Sequence, residues 1–101
     1  MERAIQVIPV KIRIWKRGKQ FIAVIKDEVA AEELSKYTNQ KIKLMIIHGG
    51  VLIPIDAKPI MERQGNRTYV LFTLPRRLNA LWQLINEAKA KVVIEPQGGV
   101  S

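Results

Sequence analysis

The chain has 101 residues, no cysteine and a formal charge of +8, so we expect one domain, residues 1–101, with an apolar core and a polyanionic partner. The lack of cysteine excludes disulfides, thiolate metal sites and thiol catalysis. The single histidine, His48, excludes any site that requires two imidazoles.

The first half of the chain predicts a strand hairpin, a helix and a third strand. The segment Gln6–Trp15 is rich in Ile and Val and alternates from Lys11 onward, which is typical of a strand. Gly18 can adopt the positive φ of a tight turn, and Asp27 can cap a helix. The predicted elements are a strand over Gln6–Trp15, a turn over Lys16–Lys19, a strand over Gln20–Ile25, a helix over Glu28–Lys36 and a strand over Lys41–Ile47.

The second half repeats this order. Pro54 indicates an edge or a bend in its first strand, and Pro59 interrupts the extended segment that follows. Pro75 suits the first turn of a helix. The buried face of this helix is predicted to carry Leu78, Leu81, Trp82, Ile85 and Ala88. The other predicted elements are strands over Val51–Ile55, Arg67–Leu74 and Lys91–Glu95 and a turn over Gln64–Asn66.

The two halves are similar enough to predict an internal repeat, at about residues 6–50 and 51–99. Val7–Val10 resembles Leu52–Ile55, and Lys43–Ile46 resembles Lys91–Ile94. One such unit buries little by itself, whereas two could close around a shared core. We therefore predict an α+β fold: a small β-barrel of two pseudo-symmetric ββαβ repeats, with mostly antiparallel strands and two helices.

The first unit resembles a known family in its local sequence. A basic strand leads into the turn at Gly18–Lys19, and Lys26–Val29 opens a helix; this is similar to the AbrB/SpoVT family of swapped-hairpin DNA-binding proteins. The duplicated unit also resembles the plan of double-psi β-barrels. The chain departs from the family pattern where Val24–Lys26 replaces a proline and Thr38–Gln40 replaces a Gly-Asp step. The resemblance implies a barrel more than it implies transcriptional control.

The segment Lys11–Lys19 is the most informative, because it contains several cations and no acid. Alternation along a strand directs Ile12 and Ile14 to the core. The residues predicted to share the other face are Lys11, Arg13, Trp15 and Arg17. Such a face suits nucleic acid, since cations meet phosphates and an indole stacks on a base or sugar. Two other arrangements of Trp15 are open, namely a surface cation–π cluster and packing against the second helix or a partner.

Further cations extend the candidate surface. The second hairpin supplies a weaker basic tip, placed either beside the first tip or opposite it. Arg76 and Arg77 oppose the dipole of the second helix, which indicates either phosphate contact or a solvated helix face. The full set of candidate nucleic-acid-binding residues is Lys11, Arg13, Trp15, Lys16, Arg17, Lys19, Lys58, Arg63, Arg67, Arg76 and Arg77.

The sequence gives little support for catalysis. Glu28 and Glu32 are one helical turn apart, and a solvated face explains them more simply than a pair of catalytic carboxylates. His48 is expected to be a turn residue, and no phosphate-loop or nucleotide-binding fingerprint is present. We therefore expect no enzymatic activity, no metal and no cofactor.

These features predict a non-enzymatic nucleic-acid-binding protein, with DNA favoured over RNA. The alternative is a small accessory subunit of a replication, transcription or ribosomal assembly, or a homodimer, whose apolar strands and Trp15 face another chain. No run approaches the ~20 apolar residues of a membrane span, and Met1–Ala4 does not open a signal peptide. We expect a cytoplasmic protein without a membrane partner, and the content of Lys, Arg, Ile and Val also suits a thermophile.

Overall fold

A computed structural model describes residues 5–38 and 40–95, which form one antiparallel sheet of seven strands with two helices. The strands are β1 (Gln6–Arg17), β2 (Gln20–Ile25), β3 (Ile42–His48), β4 (Val51–Ala57), β5 (Ile60–Gln64), β6 (Arg67–Thr73) and β7 (Glu87–Ile94). Helix α1 (Glu28–Leu34) continues into a 3₁₀ turn at Ser35–Tyr37. A second 3₁₀ turn, Arg76–Leu78, leads into the short helix α2 (Asn79–Trp82). The α+β class and the antiparallel pairing are confirmed.

The strand order is β4-β3-β7-β1-β2-β6-β5, so β4 and β5 are the two edges of the sheet. No ladder joins these edges within the described residues, and the prediction of a closed barrel is therefore wrong. The physical reason is a break at Lys58–Pro59. The segment before it pairs with β3, the segment after it pairs with β6, and Pro59 has no N–H to donate to a ladder.

One face of the sheet, the inner face, carries the main core. Its buried cluster includes Val10, Ile12 and Ile14 of β1, Ala30 and Leu34 of α1 and Trp82 of α2. Both helices therefore pack on the same side of the sheet. Trp82 is 1% exposed and its Nε1 donates to the Pro75 carbonyl at 2.9 Å, so the polar atom of this buried ring is paired, as burial requires.

The elements of the first half lie close to their predicted positions. β2 has the predicted bounds, β1 runs on to Arg17, and Asp27 caps α1 by accepting the Val29 N–H at 3.0 Å. Pro9 is tolerated inside β1 because the ladder with β2 starts only at Ile12, so that Pro9 pairs with β7 alone. His48 differs from prediction: it is the last residue of β3 rather than a turn residue.

The second helix is much shorter than predicted. α2 ends at Trp82 and β7 begins at Glu87, four residues before the predicted start of that strand. Ile85 is buried as predicted, but Ala88 belongs to β7. The alternation of apolar residues from Ala88 to Ile94 is a strand signal, and it prevails over the helical spacing that reaches Ala88.

Two parts of the predicted organisation concern the chain ends. The second repeat was expected to reach residue 99, and its portion after residue 95 lies outside the described residues, as does Met1–Ala4. Across residues 5–38 and 40–95, no helix has the length and apolarity needed to cross a membrane.

Candidate nucleic-acid interface

The face of the sheet opposite the core, here called the outer face, carries the predicted basic side chains of β1. Ile12 and Ile14 are buried on the inner face. Exposed positions alternate with them, at Lys11, Arg13, Trp15 and Arg17. The alternation predicted from the sequence is confirmed, and it divides this strand into a core side and a basic side.

Lysines from β1, from β7 and from the residue after β2 meet on the outer face. Lys11 of β1 and Lys89 of β7 are direct register partners, so their side chains leave the same face with Cβ atoms about 5 Å apart. Lys91 follows on the same side of β7, and the Lys26 N–H after β2 donates to the Lys11 carbonyl at 2.9 Å. The resulting lysine groove, about 580 Å³ in volume, is lined by Pro9, Val10, Lys11, Lys26, Asp27, Ile47, Lys89, Ala90 and Lys91.

Two acids of the described residues bear on this groove. Glu87 accepts a hydrogen bond from Lys26 Nζ at 2.9 Å. This bond and the charge of Lys26 hold the pKa of Glu87 below its ordinary value of 4.5, and the nearby charges of Arg13 and Lys11 act in the same direction. Asp27, the other acid, is occupied by capping α1.

The remaining lysines of the groove differ from Lys26 in their pairing. Within the described part of the chain, Lys11, Lys89 and Lys91 form no ion pair. Like charges directly opposite each other in a sheet repel, so the pair Lys11–Lys89 is an unfavourable arrangement in the protein alone. An anion bound between the two ammonium groups would relieve this repulsion.

Trp15 lies on the same face as the lysine groove, four residues along β1 from Lys11, and is partly exposed. The side chain is 45% exposed, and the Arg13 guanidinium carbon lies 5.6 Å from the centroid of its ring. The cation–π arrangement considered from the sequence therefore forms. Packing against the second helix does not form, because α2 lies on the inner face.

A small second core lies on the outer face between the two hairpins. Ile22, Val24 and Leu71 are each less than 8% exposed although they lie on this face. Arg17 donates two hydrogen bonds to Glu62, at 2.7 and 3.1 Å. This pair joins β1 to β5 across the two strands that carry the small core, so Arg17 connects the hairpins.

The bonds from Arg17 also determine the ionisation of its partner. They are the main cause of a pKa of Glu62 below its ordinary value of 4.5, and the charge of Arg17 lowers it further, whereas desolvation opposes the shift. The carboxylate is therefore ionised throughout the neutral range.

The second hairpin tip lies opposite the first tip rather than beside it. In the antiparallel β2–β6 ladder, Ile22 pairs with Thr73 and Val24 with Leu71, which directs the turns at Gly18 and Gly65 toward opposite ends. Arg67 at the second tip forms an ion pair with Glu28 at 3.2 Å and lies 5.5 Å from the Tyr69 ring.

The other predicted cations are dispersed. Lys58 and Arg63 lie on the edge formed by β5 and the link before it, and Lys19 lies in the first turn. Lys16 Nζ is 5.8 Å from the Phe21 ring. Arg76 Nε donates to Gln20 Oε1 at 3.3 Å, so Arg76 and Arg77 lie beside the first tip and line a separate recess of about 510 Å³.

Three lysines of the groove were missed by sequence reasoning: Lys26, Lys89 and Lys91. Lys89 and Lys91 alternate with the buried Ala90 and Val92, and this period of two was the signal that could have revealed them. The predicted strand begins only at Lys91, whereas the predicted face of the second helix extends to Ala88. The alternation before Lys91 was therefore not recognised as part of a strand. Their proximity to Lys11 depends on the β1–β7 ladder, which no local pattern reports.

No family model matches the chain, and no curated protein or solved structure is detectably similar to it. Within residues 5–38 and 40–95, no three or more His, Asp or Glu side chains form a group that could hold a metal ion. The chemistry that the outer face offers is a set of cations, one accessible indole and the apolar side chains of Pro9 and Ile47.

Proposed function

We propose that this protein binds nucleic acid without catalysing a reaction, and that the lysine groove receives the phosphate backbone. The observation that carries the proposal is the direct pairing of Lys11 with Lys89 on one face, flanked by Lys91, with none of the three in an ion pair within residues 5–38 and 40–95. A formal charge of +8 adds long-range attraction for a polyanion.

The proposed surface is smaller than the one expected from the sequence. It keeps Lys11, Arg13 and Trp15 and adds Lys26, Lys89 and Lys91. Arg17 and Arg67 are left out because they do not line the lysine groove and each is bonded to a glutamate, whereas Lys26 lines the groove although it is paired with Glu87. DNA remains the ligand expected from the sequence, and RNA of the same base sequence is the comparison.

Salt dependence of binding tests the proposal. Each lysine that contacts a phosphate of a single strand contributes about −0.7 to the slope of log K against log salt, or about −0.9 for a duplex. Fluorescence anisotropy of a labelled oligonucleotide should therefore show steep weakening with salt, and Lys89→Gln should make the slope shallower by about that amount. Lys36→Gln is the matched control, because Lys36 is an exposed lysine on the 3₁₀ turn after α1. No binding at low salt, or equal slopes for both variants, would refute the proposal.

A protein-interaction subunit is the second candidate, and exposed apolar residues on the outer face favour it. Leu52 is the register partner of Ile47, Val7 is the partner of Val93, and both Leu52 and Val7 are more than half exposed. Light scattering at micromolar concentration distinguishes the candidates. A dimer that Leu52→Ser dissociates, together with no oligonucleotide binding, would favour the interaction subunit.

We also propose that the chain consists of two equivalent ββαβ units, residues 6–50 and 51–99. The pairing pattern supports this organisation. The β1–β2 hairpin corresponds to β5–β6, the β1–β7 ladder corresponds to β4–β3, and both β2–β6 and β3–β7 join an element to its own counterpart. In this scheme β4 and β5 together correspond to the long β1, interrupted at Lys58–Pro59.

A further inference from the structure

We infer that the nucleic acid bound by the lysine groove is single-stranded, with one base stacked on Trp15; this inference rests on the proposed function. Trp15 is the most exposed of the described aromatic side chains, since both phenylalanines and Trp82 are buried and both tyrosines are partly covered. An aromatic ring beside a basic groove is the combination that binds single strands, because the groove follows the backbone while a base stacks on the ring.

The spacing along β1 allows both contacts at once. Lys11 and Trp15 lie on the same face, four residues apart, which corresponds to roughly 13 Å along a strand. Arg13 lies between them with its guanidinium against the indole. A single strand laid along β1 can therefore place phosphates over Lys11, Lys89 and Lys91 and a base on the accessible part of the ring.

A duplex does not provide the same contacts. Its bases are already stacked on their neighbours, so an indole reaches a base face only after the helix is opened, at a cost of about a few kcal/mol for each step. The apolar part of the lysine groove, Pro9 and Ile47, also suits sugars and unstacked bases more than the phosphates that a duplex presents.

Among the described elements, the two helices and the β1–β2 ribbon make contacts that oppose entry into a DNA groove. The major groove admits an α-helix or a two-stranded ribbon. Both helices pack into the core on the inner face. The β1–β2 ribbon is held at its tip, where Arg17 bonds to Glu62 and Gln20 bonds to the Leu74 carbonyl and to Arg76.

The test compares three probes at about 50 mM salt: an oligothymidylate of about 12 nucleotides, its duplex with oligoadenylate, and inorganic polyphosphate. Trp82 is buried, so Trp15 supplies the ligand-dependent change in fluorescence. We expect the single strand to quench Trp15 and to bind more tightly than the duplex.

Trp15→Ala should weaken binding of the single strand by roughly 5- to 100-fold, leave polyphosphate binding unchanged and retain the emission of a buried Trp82. Trp15→Phe should recover part of the loss.

The outcomes separate the inference from the proposed function. If the duplex binds as tightly as the single strand and Trp15→Ala changes neither affinity, the inference is overturned while salt-dependent binding still supports the proposed function. If none of the three probes binds at low salt, both are overturned. If Trp15→Ala weakens polyphosphate as much as oligothymidylate, Trp15 acts on the groove rather than on a base, and the inference is again overturned.

Discussion

Single residues of β1 show what strand alternation can and cannot predict. The alternation correctly separates Lys11, Arg13 and Trp15 from the buried Ile12 and Ile14. It cannot show that Arg17, on the same face, is bonded to a glutamate 45 residues further along the chain. The partner of a charged side chain depends on which strands become neighbours, and a local pattern does not contain that information.

Glu87 is the acid whose removal should strengthen ligand binding. Its carboxylate neutralises Lys26 and lies opposite Arg13 in the β1–β7 ladder, so Glu87→Gln frees one ammonium group and removes one repulsive charge. We expect oligonucleotide affinity to rise roughly two- to five-fold at low salt, and the gain to shrink as salt screens it. Anisotropy titrations measure the change.

The control for this substitution is Glu33→Gln. It also removes a carboxylate that is paired with a lysine, but this carboxylate lies on α1 and its partner is Lys36. The oligonucleotide affinity of the Glu33→Gln variant should equal that of the unmodified protein. An equal rise in both variants would show that only net charge matters and that the lysine groove is not the binding surface.

Glu62 should contribute to the pH dependence of stability. Its pKa in the folded protein is lowered, mainly by the hydrogen bonds from Arg17, so the folded state binds this proton less readily than the unfolded state does. The contribution of the pair is therefore complete above the ordinary pKa of 4.5 and is lost as the pH falls through the lower folded value.

Urea unfolding at a series of pH values measures this contribution. The free energy of unfolding of the unmodified protein should exceed that of Glu62→Gln at neutral pH, and the difference should decrease below the ordinary pKa of 4.5. A difference that grows on acidification would show that the pair does not stabilise the fold through its ionised form.

At the scale of elements, strands with a clear alternation were predicted well and the second helix was not. β1, β2 and β6 differ from their predicted bounds by at most two residues. The segment after Trp82 carries apolar residues at both helical and alternating spacing, and its pairing with β1 and β3 decides for the strand. Pairing across the sheet therefore overrides a local preference that is nearly balanced.

Helix α1 is short, so its N-cap should matter for stability. Asp27 accepts the Val29 N–H and its own carbonyl accepts the Ala31 N–H, which satisfies donors that the helix itself leaves free. Asp27→Ala should lower the free energy of unfolding by about 1 kcal/mol. Asp27→Ser should retain most of it, because serine is also a good cap.

Urea unfolding of the two variants measures this effect. Asp56→Ala is a matched control, since Asp56 is an exposed aspartate of β4 without a described ion pair. Equal losses for Asp27→Ala and Asp27→Ser would contradict a capping role. Because Asp27 also lines the lysine groove, both variants should bind oligonucleotides at least as well as the unmodified protein.

For the whole molecule, the sequence predicted the antiparallel strands correctly, but it did not predict that the sheet stays open. The repeated strand order and the turn glycines predicted mostly antiparallel strands, and the observed order differs by the separate strand β5 after Pro59. Whether the last two edges pair depends on the strands that β4 and β5 take as neighbours on their other sides. The register of β4 and β5 with their other neighbours leaves these edges unpaired, and that is a property of the assembled sheet.

The proposed equivalence of the two units predicts that the chain can be circularly permuted at its middle. Gln6 and Ile94 are register partners at one end of the β1–β7 ladder, as His48 and Val51 are around Gly49–Gly50. A permutant of this 101-residue chain opened between Gly49 and Gly50, with residue 101 joined to residue 1, should therefore keep every described ladder. Exchanging a two-residue turn for this longer connection should lower stability by roughly 1–2 kcal/mol, and chain opening at an exposed tip is generally tolerated.

Near-ultraviolet circular dichroism and urea unfolding measure the result. A permutant opened at Gly18–Lys19 is the control, because it divides a hairpin inside one unit and should lose more stability. If the Gly49–Gly50 permutant does not fold while the control does, the two halves are not equivalent units.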